Sequence, residues 1–155
     1  YEGYGPGGVA ILVHALTDNR NRTATNVRVA FTRNGGSLGE TGSVGYLFDR
    51  KGYLAIERAG LTIDEDAMLE KVLEVGGEDL QISPEVFEIY TAPEDFASVR
   101  DQLEETFTLA QAELTMIPKT TVVLTEEQRQ KLENLVEKLE DDDDVSEVFT
   151  SVEDE

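Results

Sequence analysis

The segment LQISPEVFEIY (residues 80–90) predicts a β-hairpin near the middle of the 155-residue chain. Its two apolar runs, at residues 80–82 and 86–90, flank a Ser-Pro-Glu turn, which is typical of two antiparallel strands. A helix is predicted on each side, over residues 64–75 and after Pro93. The hairpin therefore joins one helix-containing unit to another.

The pattern continues outward from the hairpin in both directions. Strands are predicted over residues 53–57 and 110–117, and they complete two β-α-β units around it. Two such units joined by a hairpin form the ferredoxin-like sandwich, in which a four-stranded antiparallel sheet carries two helices on one face. The predicted fold class is therefore α+β.

The flanking segments contain a second set of elements of the same kinds. Strands are predicted at residues 9–16, 44–48, 121–124 and 145–152, and helices between residue 23 and the Asn34-Gly35-Gly36 stop and after the Thr125-Glu126-Glu127-Gln128 capping box. Eight strands and four helices in total suffice for two ferredoxin-like α/β sandwiches. The opening glycine-rich segment is expected to be a loop, and its start at Tyr1 rather than Met suggests a fragment of a longer chain.

Caps, turns and buried faces are also predicted from local spacing. The expectations are a turn at residues 49–52, a cap on the first helix at Thr23 or Asn21, a second capping box at Thr91-Ala92-Pro93-Glu94, an inward face made of Met68, Leu69, Val72 and Leu73, and core positions for Tyr46, Phe48, Phe87, Tyr90 and Phe96.

The order of elements allows two arrangements of the two domains. They can be consecutive, with the boundary near Ser83. They can also be nested, with residues 53–118 inserted between residues 1–52 and 119–155. All three candidate hairpin turns are short, so the spacing of residues leaves both arrangements open.

Charge is distributed unevenly along the chain. The formal net charge is −20, yet residues 1–60 hold seven basic and five acidic side chains, a net of +2. Residues 61–155 hold six basic and 28 acidic side chains, a net of −22. Because phosphate backbones repel acidic surfaces, a nucleic-acid contact is expected only toward the first part of the chain.

The strongest candidate site is a group of arginines and asparagines in that first part. It comprises Asn19, Arg20, Asn21, Arg22, Arg28 and Arg33. The first four are predicted to occupy a loop leading to a helix N-terminus, where arginine forks, asparagine amides and free backbone N–H groups all suit phosphate oxygens. Arg28 and Arg33 are expected to extend the positive surface along that helix. The alternative is a solvated helix face whose arginines balance nearby acids.

No pattern typical of catalysis or of metal binding is present. The chain has no cysteine, and His14 is its only histidine. The acidic run at residues 140–144 lacks the spacing of a calcium loop and is interpreted as a solvated helix end. The predictions are therefore no catalytic site, no metal, no cofactor and no small-molecule substrate. No apolar run is long enough for a membrane helix, and a cytoplasmic location without a membrane partner is expected.

Several segments resemble the YebC/PmpR family, in order and over the full length of the chain. They are YEGYGPGGVA (1–10), LTDNRNRT (16–23), NGGSLG (34–39), GSVGYLF (42–48), ELTMIP (113–118) and LEDDDDV (139–145). The resemblance implies the second and third domains of a three-domain protein whose small basic helical domain precedes them. It favours the nested arrangement, with residues 1–52 and 119–155 as the family's second domain and 53–118 as its third.

The resemblance also implies a function in gene expression. Family members are described as transcriptional regulators that bind promoter DNA, which predicts a non-enzymatic, DNA-binding regulator here. The alternative is a translation factor, since members include a mitochondrial translational activator and proteins linked to ribosomes stalled on proline-rich stretches. The expected partner is promoter DNA or ribosomal RNA, with ribosomal proteins as a further option. A protein-interaction module that uses its acidic face is a third class.

Overall fold

A computed structural model describes residues 1–153, and the chain divides into two compact units. Unit 1 comprises Tyr1–Asp49 together with the chain from Ile117 onward, and unit 2 comprises Arg50–Met116. In chain order the elements are β1 (Glu2–Tyr4), β2 (Ala10–Ala15), α1 (Arg20–Arg33), β3 (Ser37–Leu38), β4 (Phe48–Glu57), α2 (Glu65–Val75), β5 (Asp79–Ile82), β6 (Val86–Thr91), α3 (Phe96–Glu104), β7 (Gln111–Pro118), α4 (Glu126–Glu140) and β8 (Val145–Thr150).

Unit 2 has the β-α-β-β-α-β order of a ferredoxin-like sandwich. Its sheet has the strand order β5-β6-β4-β7, so the first and third strands of the unit are central. Alternate residues of β4 and β6, such as Leu54 and Ile89, are paired in register and fully buried. They pack against Met68 and Val72 of α2 and Val99 of α3 in one apolar core.

Unit 1 reaches a related architecture by a different chain path. Its sheet has the order β3-β1-β2-β8, with every neighbouring pair antiparallel. Compared with unit 2, β1 occupies the place of the third strand although it comes first in the chain. Helices α1 and α4 contribute Phe31 and Leu135 to a core with Ile11 and Val13 of β2. The predicted α+β class with two ferredoxin-like sheets is confirmed.

One predicted turn is wrong. The expected strands at 44–48 and 53–57, with a turn at residues 49–52, are replaced by a 3₁₀ turn (Gly45–Leu47) and one long strand, β4. Gly52 lies inside β4 opposite Thr91, and a Cβ at this position would approach Phe96 Cδ1 to 2.7 Å. Close packing thus requires a glycine at this position. A glycine required by packing cannot be distinguished by its sequence neighbours from a glycine in a turn.

The strand boundaries near the two ends of the chain also differ from expectation. The expected loop at residues 1–8 contains β1, in which Gly3 pairs with both Ile11 and Leu38. A Cβ on Gly3 would lie 2.7 Å from the ring of Phe31, so the glycine lets the strand lie flat against α1. The expected strand at 121–124 is reduced to a single parallel bridge between Val122 and Val152.

Helix signals that depend on neighbouring residues alone were more reliable. The Thr125–Gln128 capping box is confirmed, and α1 stops at Asn34 before Gly35, whose φ is 77°. The predicted capping box at residues 91–94 is wrong, because Thr91 donates to the Ala92 carbonyl oxygen and a 3₁₀ turn precedes α3.

Three predicted core positions are exposed at the surface. Leu69 and Leu73 of α2 are 43% and 60% exposed, and Val75 occupies the inward face with Met68 and Val72 instead. Tyr46 is 64% exposed, because it lies in the 3₁₀ turn before β4 and not in a strand.

Candidate nucleic-acid interface

Helix α1 begins earlier than the sequence predicts, and this changes the setting of the candidate residues. Neither Thr23 nor Asn21 is the cap. Asn19 caps the helix, its Oδ1 accepting the Arg22 backbone N–H at 3.1 Å, while its own N–H donates to Thr17 Oγ1. Arg20, Asn21 and Arg22 therefore form the first helical turn and do not lie in a loop.

The Arg22 side chain is already engaged within the protein. Its Nε and Nη2 donate to the two carboxylate oxygens of Asp144 at 2.9–3.1 Å, and Nη2 also donates to Asp18 at 3.1 Å. Thr23 Oγ1 donates to Asp144 Oδ2 at 2.8 Å. This cluster joins the start of α1 to the segment between α4 and β8.

Asp144 is an exception to the interpretation of residues 140–144 as a solvated helix end. Its side chain is only 14% exposed. The Thr23 hydroxyl and then the Arg22 guanidinium hold the pKa of this carboxyl below its usual value, and Asp144, with Asp18 second, raises the pKa of Arg22. Because Asp144 is 122 residues from Arg22 in the chain, no local signal identifies the pair.

The remaining arginines project from different sides of α1. With 100° between successive residues, Arg28 and Arg33 lie about 140° apart around the helix, whereas Arg22 and Arg33 lie about 20° apart. The buried stripe of Thr23, Val27 and Phe31 faces the sheet. The predicted set therefore divides by direction: Asn21 and Arg28 lie about 20° apart, Arg33 lies on the side of Arg22, and Arg20 lies about 80° from Arg28, in the direction of the buried stripe but exposed at the start of the helix.

The three arginines outside the Asp144 cluster are available to a ligand. Arg20, Arg28 and Arg33 are exposed, and their side chains have no ion pair or hydrogen bond with any other residue in the described range 1–153. The first turn of α1 contains no acidic residue, so its backbone N–H groups and Arg20 present positive charge together.

The Arg33 side has mixed charge. Arg33 borders a shallow groove of about 430 Å³ that is also lined by Asn26 and by Lys138, Asp141 and Asp142 of the α4 end. Carboxylates within this groove repel a phosphate, whereas the exposed part of α1 with Arg20 and Arg28 has no acidic residue from the helix itself. The latter is the better anion surface of the two.

Features outside helix α1 add no further candidate for a nucleic-acid contact among residues 1–153. The exposed His14 ring lies edge-on to Phe149, with ring centroids 5.2 Å apart. Unit 2 carries five basic and sixteen acidic side chains, a net of −11, so its surface opposes a phosphate backbone. Within residues 1–153, no helix has the length and apolar character required to cross a lipid bilayer.

The comparisons with known proteins agree with this architecture. The family model described as "TACO1/YebC second and third domain" matches residues 1–152. A "probable transcriptional regulatory protein" of Enterococcus faecalis is 75% identical over 99% of the chain, and one of Ligilactobacillus salivarius is 65% identical over 97%. The chain spans 64% and 62% of the lengths of these two relatives.

A solved structure gives the same result. A conserved hypothetical protein of Aquifex aeolicus aligns with a TM-score of 0.83 at 46% identity, covering 99% of this chain and 63% of that one. The fold, the family model and the relatives agree across both units. The chain belongs to the TACO1/YebC family.

Proposed function

We propose that this chain is part of a non-enzymatic regulator of gene expression that binds DNA through helix α1 of unit 1. The observation that carries the proposal is the exposed first turn of α1, where Arg20 has no partner among residues 1–153 and the helix itself contains no acidic residue. The names of the relatives, which call them probable transcriptional regulatory proteins, support the same function.

The six candidate residues have different roles in this proposal. Arg20 at the helix start and Arg28, about 12 Å farther along the axis and about 80° around it, each contact a phosphate, and Asn21 on the side of Arg28 adds neutral hydrogen bonds. Arg33, on the other side and beside the carboxylates of its groove, is proposed to contribute less. Asn19 and Arg22 hold the helix start in place, through the cap and through Asp144.

The acidic character of unit 2 limits how DNA can approach. With a net charge of −11, unit 2 is repelled by the duplex, so only the α1 side of unit 1 is proposed to face it. Weak binding by the chain alone follows, and the portion of the relatives' length outside this chain is proposed to supply much of the affinity.

A second candidate function rests on the same acidic surface. Ribosomal proteins are an expected basic partner for unit 2, whereas naked duplex DNA offers it no favourable contact. A translation factor would then place α1 against ribosomal RNA and unit 2 against protein.

The test is the salt dependence of binding. Binding of the full-length protein to promoter duplex and to ribosomes is measured from about 50 to 200 mM salt, by anisotropy and by co-sedimentation. Arg20→Ala and Arg28→Ala should each weaken binding and reduce the salt slope by about one unit. The matched control is Arg100→Ala on α3 of unit 2, which should leave the slope unchanged.

The two partners give distinguishable results. Release from ribosomes by competing duplex supports the DNA-binding regulator, and retention on ribosomes that duplex cannot displace supports the translation factor. Unchanged slopes for both α1 variants would refute the proposed surface with either partner.

A further inference from the structure

A groove on unit 1, separate from the arginines of α1, lies between helix α4 and edge strand β8. It has a volume of about 520 Å³. Leu132 and Val136 of α4, with Val148 of β8 and Val152 just beyond it, form its apolar floor, and all four belong to or pack against the unit 1 core. The groove is thus a shallow extension of the core to the surface.

Among residues 1–153, no strand pairs with the edge of β8 that runs along this groove. The strand pairs with β2 on its other side, and the Ser151 N–H donates to the Ala10 carbonyl at 3.0 Å. Because antiparallel ladders alternate, Phe149 and Glu147 then direct their N–H and C=O groups to β2, while Val148 and Thr150 direct theirs outward.

The free part of the edge has a defined end. Val122 closes the edge after Thr150, since its N–H donates to the Ser151 carbonyl at 2.7 Å and its own carbonyl accepts from Glu153. The open edge therefore spans about residues 146–150. An edge of this length beside an apolar groove is the geometry in which an extended peptide adds a strand to a sheet.

The rim of the groove is acidic. Glu133, Glu137 and Glu140 lie on the groove side of α4, all exposed. Within the described part of the chain none of the three has an ion-pair partner. Arg129 is the one cation among the described residues that line the groove, and it donates to the Glu153 carbonyl at 2.9 Å. The rim thus carries a net negative charge that is complementary to lysine or arginine.

We propose that this groove binds an extended, lysine- or arginine-rich segment of a partner protein. The segment adds as a further strand to the free edge of β8, hydrogen-bonding the outward groups of Val148 and Thr150. Its apolar side chains lie on the floor between α4 and β8, and its cationic side chains reach the glutamates of the rim. This partner site is independent of the α1 surface.

The test uses peptides of about eight residues, the length of an ordinary strand. The probe alternates lysine and valine. One control peptide has the same residues in two blocks, and another has glutamate in place of lysine. Each is titrated into the isotope-labelled chain at about 150 mM salt, and binding is followed by amide chemical shifts and by hydrogen exchange at Val148 and Thr150.

Three variants separate the groove from general acidity. The double variant Glu133→Lys with Glu137→Lys reverses the charge at two positions of the rim. It should lower the affinity for the alternating peptide at least about tenfold, since each charge contact lies beside a desolvated floor. Glu127→Lys reverses one charge of the same helix off the groove and should change affinity less than about twofold. Thr150→Pro removes an outward N–H without removing a bond to β2.

The outcomes are decisive in both directions. Slowed exchange at Val148 and Thr150, preference for the alternating over the block peptide, and loss in the rim variant support the proposal. Equal binding of the two basic peptides, equal loss in Glu127→Lys, shifts located away from β8, or no binding would overturn it. Because the rim variant changes only exposed helix side chains, its result stands even if Thr150→Pro fails to fold.

Discussion

Gly52 provides the sharpest test of why β4 is one continuous strand. Replacement by alanine places a Cβ 2.7 Å from Cδ1 and 2.9 Å from Cβ of Phe96, and in hard contact with Thr91 Oγ1. Favourable carbon contacts lie at about 3.5–4.0 Å, so the new methyl is about 1 Å too close. Phe96 is 8% exposed and Thr91 is fully buried, which leaves neither side chain free to move away.

The magnitude follows from two opposing effects. Overpacking of a filled core costs about 1–3 kcal/mol. Replacement of glycine by alanine restricts the unfolded chain and returns about 0.4–1 kcal/mol. We therefore expect Gly52→Ala to lower the free energy of unfolding of unit 2 by about 1–2 kcal/mol.

The assay is hydrogen exchange of the protected amides of β4 and β6, which reports the unfolding free energy of unit 2 by itself. Thr91→Ala removes the tightest contact, so the double variant should be less destabilised than the sum of the two single variants by at least about 0.5 kcal/mol. Unchanged or increased stability of Gly52→Ala would refute the reasoning, because a glycine in an adaptable turn would give that result.

Three further predictions concern burial and charge. Leu103→Ala in α3 should lower the free energy of unfolding by about 2–5 kcal/mol, whereas Leu73→Ala on the exposed side of α2 should change it by less than about 0.5–1 kcal/mol in urea titrations. Asp144 has a lowered pKa in the folded state, so its stabilising effect is present above about pH 4 and is lost as the pH falls through that lowered pKa. Asp144→Asn should therefore lower the melting temperature at pH 7 and reduce the change in melting temperature between pH 7 and acidic pH. Burial by itself raises the pKa of Glu2, but the N–H groups of Gly42, Gly45 and Val44 hold that pKa below its usual value. Glu2→Gln should therefore destabilise unit 1 at neutral pH and have little effect at a pH at which the carboxyl of the parent chain is protonated. Thermal unfolding at several pH values measures the difference.

The elements whose signals are local could be predicted from the sequence. The Thr125 capping box and the Asn34-Gly35 stop each act within one helical turn, so nearby residues suffice to identify them. Gly3 and Gly52 could not be interpreted in this way. Both let a strand lie against a side chain far away in the chain, and a glycine required by packing has the same local context as one in a turn.

The candidate site was predictable as a set of residues but not as a surface. The arginines were recognised from their concentration between Asn19 and Gly39, without any acid among them. Their directions around α1 depend on where the helix begins, and the cap at Asn19 places Arg22 against Asp144. That contact joins a residue of the basic segment to a residue of the acidic run. The amino-acid composition of these two segments gives no sign that they are in contact.

The chain paths of the two units account for how the segment that forms unit 2 can be inserted in the chain of unit 1. In unit 2 the second and third strands are joined directly by the turn between β5 and β6. In unit 1 the corresponding third place is filled by β1, so β3 has no hairpin partner to follow it and the chain is free to leave the sheet there. It builds the whole of unit 2 before it returns as α4 and β8. Because the permutation moves a central strand to the start, the insertion interrupts no hairpin of unit 1, and both cores can form from complete sheets.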